Sequence, residues 1–361
     1  MFFGSALWNG KGSLCFAFSF FIMCLLIIIE LFFYEFCMKP LCSSFAVVLF
    51  FCSALFAADP VAPAKPVLKI TPGEVIVPTD RMRRMWGELI SLDMKTRTGK
   101  FRSESDDEVR TFTIMPYAEL LHHASFGDLQ DYQVVERAIF RLHENEAGEW
   151  VYLTYIQDEM NFYRNHKEFL HVVSIDPKTG RLMCNQGKAD KSYIREEGIA
   201  VDTDDQTRFW KGGVQVKFAD IQLGDKLQTK SRGTGKGKGR ICWEVFIDEQ
   251  SLEKFRTEQQ AIHAKRMQEE GYPGYVDQTG DGQLMLTLFH EAVDFSKAIK
   301  AGDKVRVAPA GVDRKPTSEP VMATVKQAKM ERNNCKLALT VEPTEVKFTP
   351  TELARVWVLT K

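Results

Sequence analysis

The chain has 361 residues, 45% of them hydrophobic and 26% charged, with 47 Lys+Arg against 48 Asp+Glu and a net charge of −1. A polycationic nucleic-acid packer and an acidic disordered tail are therefore excluded, and the apolar content excludes wholesale disorder. The composition is uneven, because half of the 26 Phe residues fall within the first 57 positions. Only Cys184, Cys242 and Cys335 follow that region, too few for a disulfide-stapled scaffold.

Two apolar stretches open the chain. Gly12 to Ile29 is uncharged, and a second uncharged run from Leu41 to Ala58 follows Met38-Lys39-Pro40. The second has the parts of a secretory signal peptide: a lysine, the apolar core Phe45–Phe51, and small residues at Ala54, Ala57 and Ala58. The expected reading is translation from Met38, with 1–37 an over-extended start, 38–57 the signal peptide, and cleavage after Ala57; the bulky Leu55 at the third position before the cut is the imperfect feature. The alternative retains residues 12–29 as a membrane anchor, and a third keeps both stretches as a membrane hairpin. Cys52 follows Phe51, where a lipidation motif needs a small residue, so it is not read as an anchor. In each of the likelier readings the rest of the chain lies outside the cytoplasm.

Residues 58–79 carry Pro60, Pro63, Pro66, Pro72 and Pro78, the composition of an extended linker. Thereafter short β-branched and aromatic runs alternate in polarity, as in Val109–Met115, Val134–Leu142 and Trp150–Ile156, the period-two signature of strands. Both faces of the Trp150–Ile156 run are apolar, which favours core packing over a stacking surface for sugars or bases. Two phrases repeat. Leu89-Ile90-Ser91-Leu92-Asp93-Met94-Lys95-Thr96 resembles Val172-Val173-Ser174-Ile175-Asp176-Pro177-Lys178-Thr179. Phe126-Gly127-Asp128-Leu129-Gln130 resembles Phe218-Ala219-Asp220-Ile221-Gln222, whose continuation Gly224-Asp225-Lys226-Leu227 matches Gly302-Asp303-Lys304-Val305. The first copy lacks the Gly-Asp turn, having Asp131-Tyr132 instead. The expected fold is mainly β, with tandem small barrels of oligonucleotide-binding-like or SH3-like type in modules 80–165, 166–270 and 271–361. One helix is inserted near 248–270, with Asp248 as N-cap and Gly271 as its stop. Its stripe of Leu252, Phe255 and Ile262 is thin because Gln259 and Arg266 share the seam, so the second half is expected in solvent, with a partner-binding arm as the functional alternative.

Chemistry-bearing motifs are mostly incomplete. Asp277-Gln278-Thr279-Gly280-Asp281-Gly282 begins like a calcium loop, but Leu288 stands where the closing Glu is needed, so a hairpin turn is expected. His290-Glu291 lacks the second zinc-protease histidine, since Asp294 occupies that position. Lys178-Thr179-Gly180 is explained as a turn, and His122-His123 as a surface pair on a short helical turn over Pro116–Ser125. Neither a metal nor a cofactor is implied. The remaining candidate is the basic, Gly-rich run Thr229–Arg240, which lacks the Ser or Thr of a nucleotide-binding loop but offers Lys230, Arg232, Lys236, Lys238 and Arg240 to a polyanion.

The repeat phrases and the signal-peptide style resemble exported, small-barrel proteins of planctomycete-type bacteria over residues 80–310. That resemblance implies export and a barrel architecture, and supplies no functional residues. The expected function is a non-catalytic extracytoplasmic binding or structural protein. The alternatives are a polyanion binder and, third, a hydrolase. The expected partner is a cell-envelope polymer or protein, with nucleic acid disfavoured by export and the near-neutral charge.

Overall fold

The computed structural model describes residues 82–359 apart from 189–190, 235–239 and 332–333. The apolar N-terminal stretches and the Pro-rich linker lie outside the described residues. Among the described residues no helix is long and apolar enough to cross a membrane.

The chain is mainly β, and each alternating run becomes a strand with one face in a barrel core. The first barrel comprises β1 (Arg83–Asp93), β2 (Thr98–Ser103), β3 (Val109–His122), β5 (Arg137–Glu144) and β6 (Trp150–Asp158), with the two-residue β4 (Ser125–Phe126) hairpinned onto β3. Its strands pair in the circuit β1-β2-β3-β6-β5-β1, all antiparallel except β3 with β6. Phe101, Phe112, Phe140, Leu142 and Leu153 fill it, with Phe101 and Phe140 stacked at 4.1 Å. The helix α1 (Glu159–His166) then leads to the second barrel.

That barrel comprises β7 (Glu168–Asp176), β8 (Arg181–Lys188), β9 (Lys191–Asp202), β12 (Lys226–Gly233) and β13 (Arg240–Phe246). Its circuit, β7-β8-β9-β13-β12-β7, repeats the first, again with the third and fifth strands parallel. The hairpin of β10 (Arg208–Lys211) and β11 (Val214–Val216) extends this sheet beyond β13. Both circuits are five-stranded Greek-key barrels of the oligonucleotide-binding-like kind.

The long helix α2 (Glu249–Glu270) follows, and then a third barrel formed by β14 (Tyr272–Gly280), β15 (Gln283–Leu288), β16 (Lys304–Ala310), β17 (Val321–Glu331), β18 (Asn334–Val341) and β19 (Leu353–Val358). The short helix α3 (Val293–Ala298) lies between β15 and β16. This barrel closes in the order β14-β15-β18-β17-β16-β19 with all pairs antiparallel, so it shares a turn with the other two but not their connectivity. Asp281 and Gly282, both at positive φ, form the hairpin turn between β14 and β15, as the calcium-like motif's failed closing position implied.

The repeated phrases have physical causes. Asp93 and Asp176 each close the hairpin after the first strand of their barrel, accepting from Lys95 and Thr96 N–H in one and from Lys178 N–H and the Thr179 hydroxyl in the other. In the Gly-Asp turn, Asp225 accepts from Gln222 N–H and Asp303 from Lys300 N–H, both at 2.8 Å. The first barrel has this turn as well, at Val135-Glu136 rather than at Asp131-Tyr132: Glu136 accepts from Gln133 N–H at 3.0 Å. Val135 has φ 68° where the others place Gly224 at 89° and Gly302 at 93°. The substitution of valine for glycine hid the match, because the conserved element is a hydrogen-bonded backbone shape and not a residue identity.

Two further expectations are corrected. Pro116–Ser125 is not a helical turn, since β3 runs through to His122, and His122 is buried rather than at the surface. The second half of α2 is not solvated: Gln259 is 2% exposed and Arg266 6%, whereas the apolar Ile262 is 48% exposed. The helix docks through that same seam, with Leu252 and Phe255 at its start and the polar Gln259 and Arg266 with Met267 further on, so the apolar stripe marked the right face but not how far along it the contact runs. Cys184, Cys242 and Cys335 are buried free thiols.

Candidate functional site

A buried cluster of titratable groups lies where the first two barrels and α2 meet. Three elements position it. The β3–β4 turn consists of His123 and Ala124, both at positive φ, a conformation that costs a non-glycine residue roughly 1–2 kcal/mol. It brings the two histidine rings to 3.9 Å. The Val135-Glu136 turn delivers Glu136, and β12 delivers Lys230, with Gly233 N–H bonded to Val135 carbonyl across the junction at 2.8 Å.

Lys230 Nζ lies 2.7 Å from His122 Nε2, 3.2 Å from His123 Nε2 and 3.1 Å from Glu136 Oε1. An ammonium has three N–H donors, and here two of them meet imidazole nitrogens while Glu136 pairs with its charge. Both imidazoles therefore present an unprotonated Nε2, which assigns the His122 proton to Nδ1, facing Gln259 Oε1 at 3.1 Å. Gln259 in turn donates to Phe126 carbonyl and Asp131 Oδ2, and Asp131 receives both Arg266 Nη1 and Nη2. One connected polar chain thus runs from α2 through barrel one to barrel two. Glu159 adds a parallel link, accepting from Ser231 N–H and from Arg137, whose guanidinium stacks on Trp86.

The electrostatics follow from burial. Desolvation, with Lys230 second, holds both histidines well below the usual imidazole range. Desolvation pushes Glu136 up to about 7 against the opposing pull of Lys230. His122, His123 and Asp158 each bring one potential metal-ligand atom to within 4.8 Å of the others. Asp158 is already committed to His123 N–H and to Asn161, however, and the position between the imidazoles holds the Lys230 ammonium. A metal ion would have to displace that charge.

No family model and no curated protein matches the chain.

The expected polyanion residues separate. Lys230 is 3% exposed and turned into the cluster, so it leaves the basic set: the alternation of β12 points it at Glu136. Arg232 is paired with Asp204. Lys236 and Lys238 lie outside the described residues, in the connection between the fourth and fifth strands of barrel two, and Arg240 opens β13. Sequence reasoning missed the cluster because its members are spread from His122 to Gln259. The available signal was His122-His123 beside a strand end, weighed as a surface feature.

Beside the cluster, a cleft of about 490 Å³ opens between α1, the start of α2 and the β7–β12 edge of barrel two. Met160, Phe169, Phe246 and Leu252 supply its apolar lining, and Arg164, Lys167 and Lys226 stand among its polar residues.

Proposed function

We propose that the chain is an exported, non-catalytic binding protein whose barrels form a rigid support for an open ligand surface. The observation that carries this reading is the closure of the cluster. Lys230, the histidines and Glu136 have the composition of an acid–base site, yet Lys230, His122 and Glu136 are buried and turned toward one another, and the half-buried His123 faces Lys230 as well. A catalytic base must reach a substrate proton within hydrogen-bond distance. The partners of these groups are one another, Gln133 N–H and Gln259, and their geometric effect is to lock two barrels and a helix together.

A second reading, polyanion binding, is supported by the place of Lys236 and Lys238 in the chain. In oligonucleotide-binding-like barrels the loop between strands four and five flanks the ligand face. Lys236 and Lys238 lie in that loop of barrel two, and a cell-envelope polysaccharide is the expected polymer.

One experiment examines these readings together: brief acetylation of the purified full chain by an N-hydroxysuccinimide ester, read by peptide mass spectrometry with and without heparin. Lys230 is expected to stay unlabelled while Lys167 and Lys226 react; labelling of Lys230 at their rate would open the cluster and reject the non-catalytic reading. Protection of Lys236 and Lys238 by heparin supports the polyanion reading, and unchanged labelling removes it. In the same digest an N-terminal peptide beginning at Ala58 supports export with cleavage, whereas peptides from residues 12–29 replace it with a membrane tether.

A further inference from the structure

The cleft beside α1 and α2 has more ligand chemistry than its size alone suggests. At about 490 Å³ it lies within the range that holds small organic ligands or two to three amino-acid residues. Its floor is apolar: Met160 and Phe246 are each 1% exposed, and Phe169 and Leu252 are half-buried.

The formal charges at its mouth balance, four carboxylates against Arg164, Lys167, Lys226 and Arg256, but they are unevenly paired. Four carboxylates line it, and three are already engaged. Glu168 accepts from Gln186 Nε2, Asp248 caps α2 through Ser251 N–H and also holds Gly212 N–H, and Glu253 pairs with Arg256. Among the cations, Arg164 donates only to the Ala124 carbonyl. Lys167 and Lys226 make no ion pair with any described residue; Lys226 Nζ instead stands 4.8 Å over the Phe169 ring. Glu168 and Asp248 keep their charge, since their donors are neutral, but their oxygens are occupied, whereas the ammonium groups of Lys167 and Lys226 have no ion-pair partner among the described residues. An anionic group fits there, beside an aromatic surface.

A third feature narrows the ligand. Gln228 lines the same cleft, two residues from Lys226 on β12, so the two side chains share a face. Its Nε2 donates to the Glu168 carbonyl, but its Oε1 is shielded from solvent and has no hydrogen-bond partner among the described residues. A buried acceptor left unmade costs about 1–3 kcal/mol, which a donor brought by a ligand recovers.

We propose that this cleft binds the C-terminal end of a short peptide with an apolar last residue, its carboxylate at Lys167 and Lys226, its side chain on the Phe169–Phe246 floor and a backbone N–H on Gln228 Oε1. The assignment rests on the binding-protein reading and supplies its ligand class and site.

The test is a calorimetric titration of the full chain with three probes: acetyl-Ala-Ala-Phe with a free carboxylate, the same peptide as its C-terminal amide, and 3-phenylpropionate. The free carboxylate is expected to bind at least roughly tenfold more tightly than the amide, the ratio for one charge-assisted hydrogen bond, and 3-phenylpropionate, which lacks N–H groups, more weakly than the peptide. Lys226→Gln, at an exposed position that leaves the fold intact, is expected to abolish the preference for the carboxylate, and Glu249→Gln to strengthen it. Equal binding of acid and amide, or no heat from any probe, overturns the assignment while leaving the sealed cluster and the non-catalytic reading in place. Probe recovered from the cell after the titration separates the two: cleaved peptide rejects the non-catalytic reading and leaves the site standing.

Discussion

Lys230 and Glu136 illustrate how a pair of charges is tolerated at nearly zero exposure. Neither has water to solvate it, so each depends on the other and on the neutral histidines. Lys230→Met leaves Glu136 buried without its cation, and breaking a buried pair in this way costs about 3–5 kcal/mol. The cost depends on pH with a definite sign. Burial raises Glu136 to about 7 in the folded chain, so its contribution is fully present below the unfolded value near 4.5 and is lost as pH rises through about 7. Removing Lys230 removes the influence that holds this value down, and it also relieves the charge that depresses both histidines. Urea unfolding of Lys230→Met against the parent is therefore expected to show the full penalty at pH 8.5 and a smaller one at pH 5. An equal penalty at both would mean that Lys230 acts through packing and not through charge. None of this pairing was legible in the sequence, where Lys230 stands in a basic run and reads as one more solvent cation.

At the scale of elements, the sequence was most readable where side-chain period or turn chemistry decides the structure. Alternation gave the strands, Asp248 and Gly271 gave the ends of α2, and Asp93 and Asp176 gave matching hairpins. It fell short where polar contacts extend apolar ones: the seam of α2 begins with Leu252 and Phe255, but its later part is buried through Gln259 and Arg266, whose polarity reads as exposure. It fell short also at Val135-Glu136, where the turn survives without its glycine. That turn allows a direct measurement of backbone strain. A β-branched residue at φ 68° is disfavoured by its Cβ, and Gly224 and Gly302 show what the shape prefers. Val135→Gly is expected to stabilise the chain by about 1 kcal/mol, the relieved left-handed strain being partly offset by the greater freedom of glycine when unfolded. The reverse change, Gly302→Val, meets nothing within 4 Å of its new Cβ, so its loss of stability measures backbone conformation without a clash. Denaturant midpoints for both variants check the pair, and a destabilised Val135→Gly would show that the half-buried valine side chain outweighs the strain.

For the whole molecule the question is what makes three small barrels behave as one body. Each has its own apolar core, so each has the means to unfold separately. Barrels one and two also share apolar contacts, with Ile139 and Trp86 of barrel one packed into the cluster that fills barrel two, whereas arginines are prominent among the polar connections to barrel three. Arg355 reaches the Gly271 carbonyl at the end of α2, and Trp357 Nε1 reaches the Glu269 carbonyl. Arg314, 3% exposed, donates to Glu291 and to the Pro116 carbonyl of β3, and its own carbonyl receives Arg355 Nε. Together with His290, whose Nδ1 lies 2.7 Å from Glu119 Oε1 on β3, it ties barrel three directly to barrel one, and these contacts help offset its desolvation. Arg314→Ala leaves the buried Glu291 carboxylate and the Pro116 carbonyl without their donor, but touches neither barrel's apolar core. The expected result is a loss of coupling with little loss of secondary structure. In scanning calorimetry the parent should give one transition with calorimetric and van't Hoff enthalpies equal, while the variant should give two, the lower from barrel three. A single, uniformly lowered transition would instead place the coupling in α2 and its polar seam, and Arg266→Ala would then be the variant that divides the molecule.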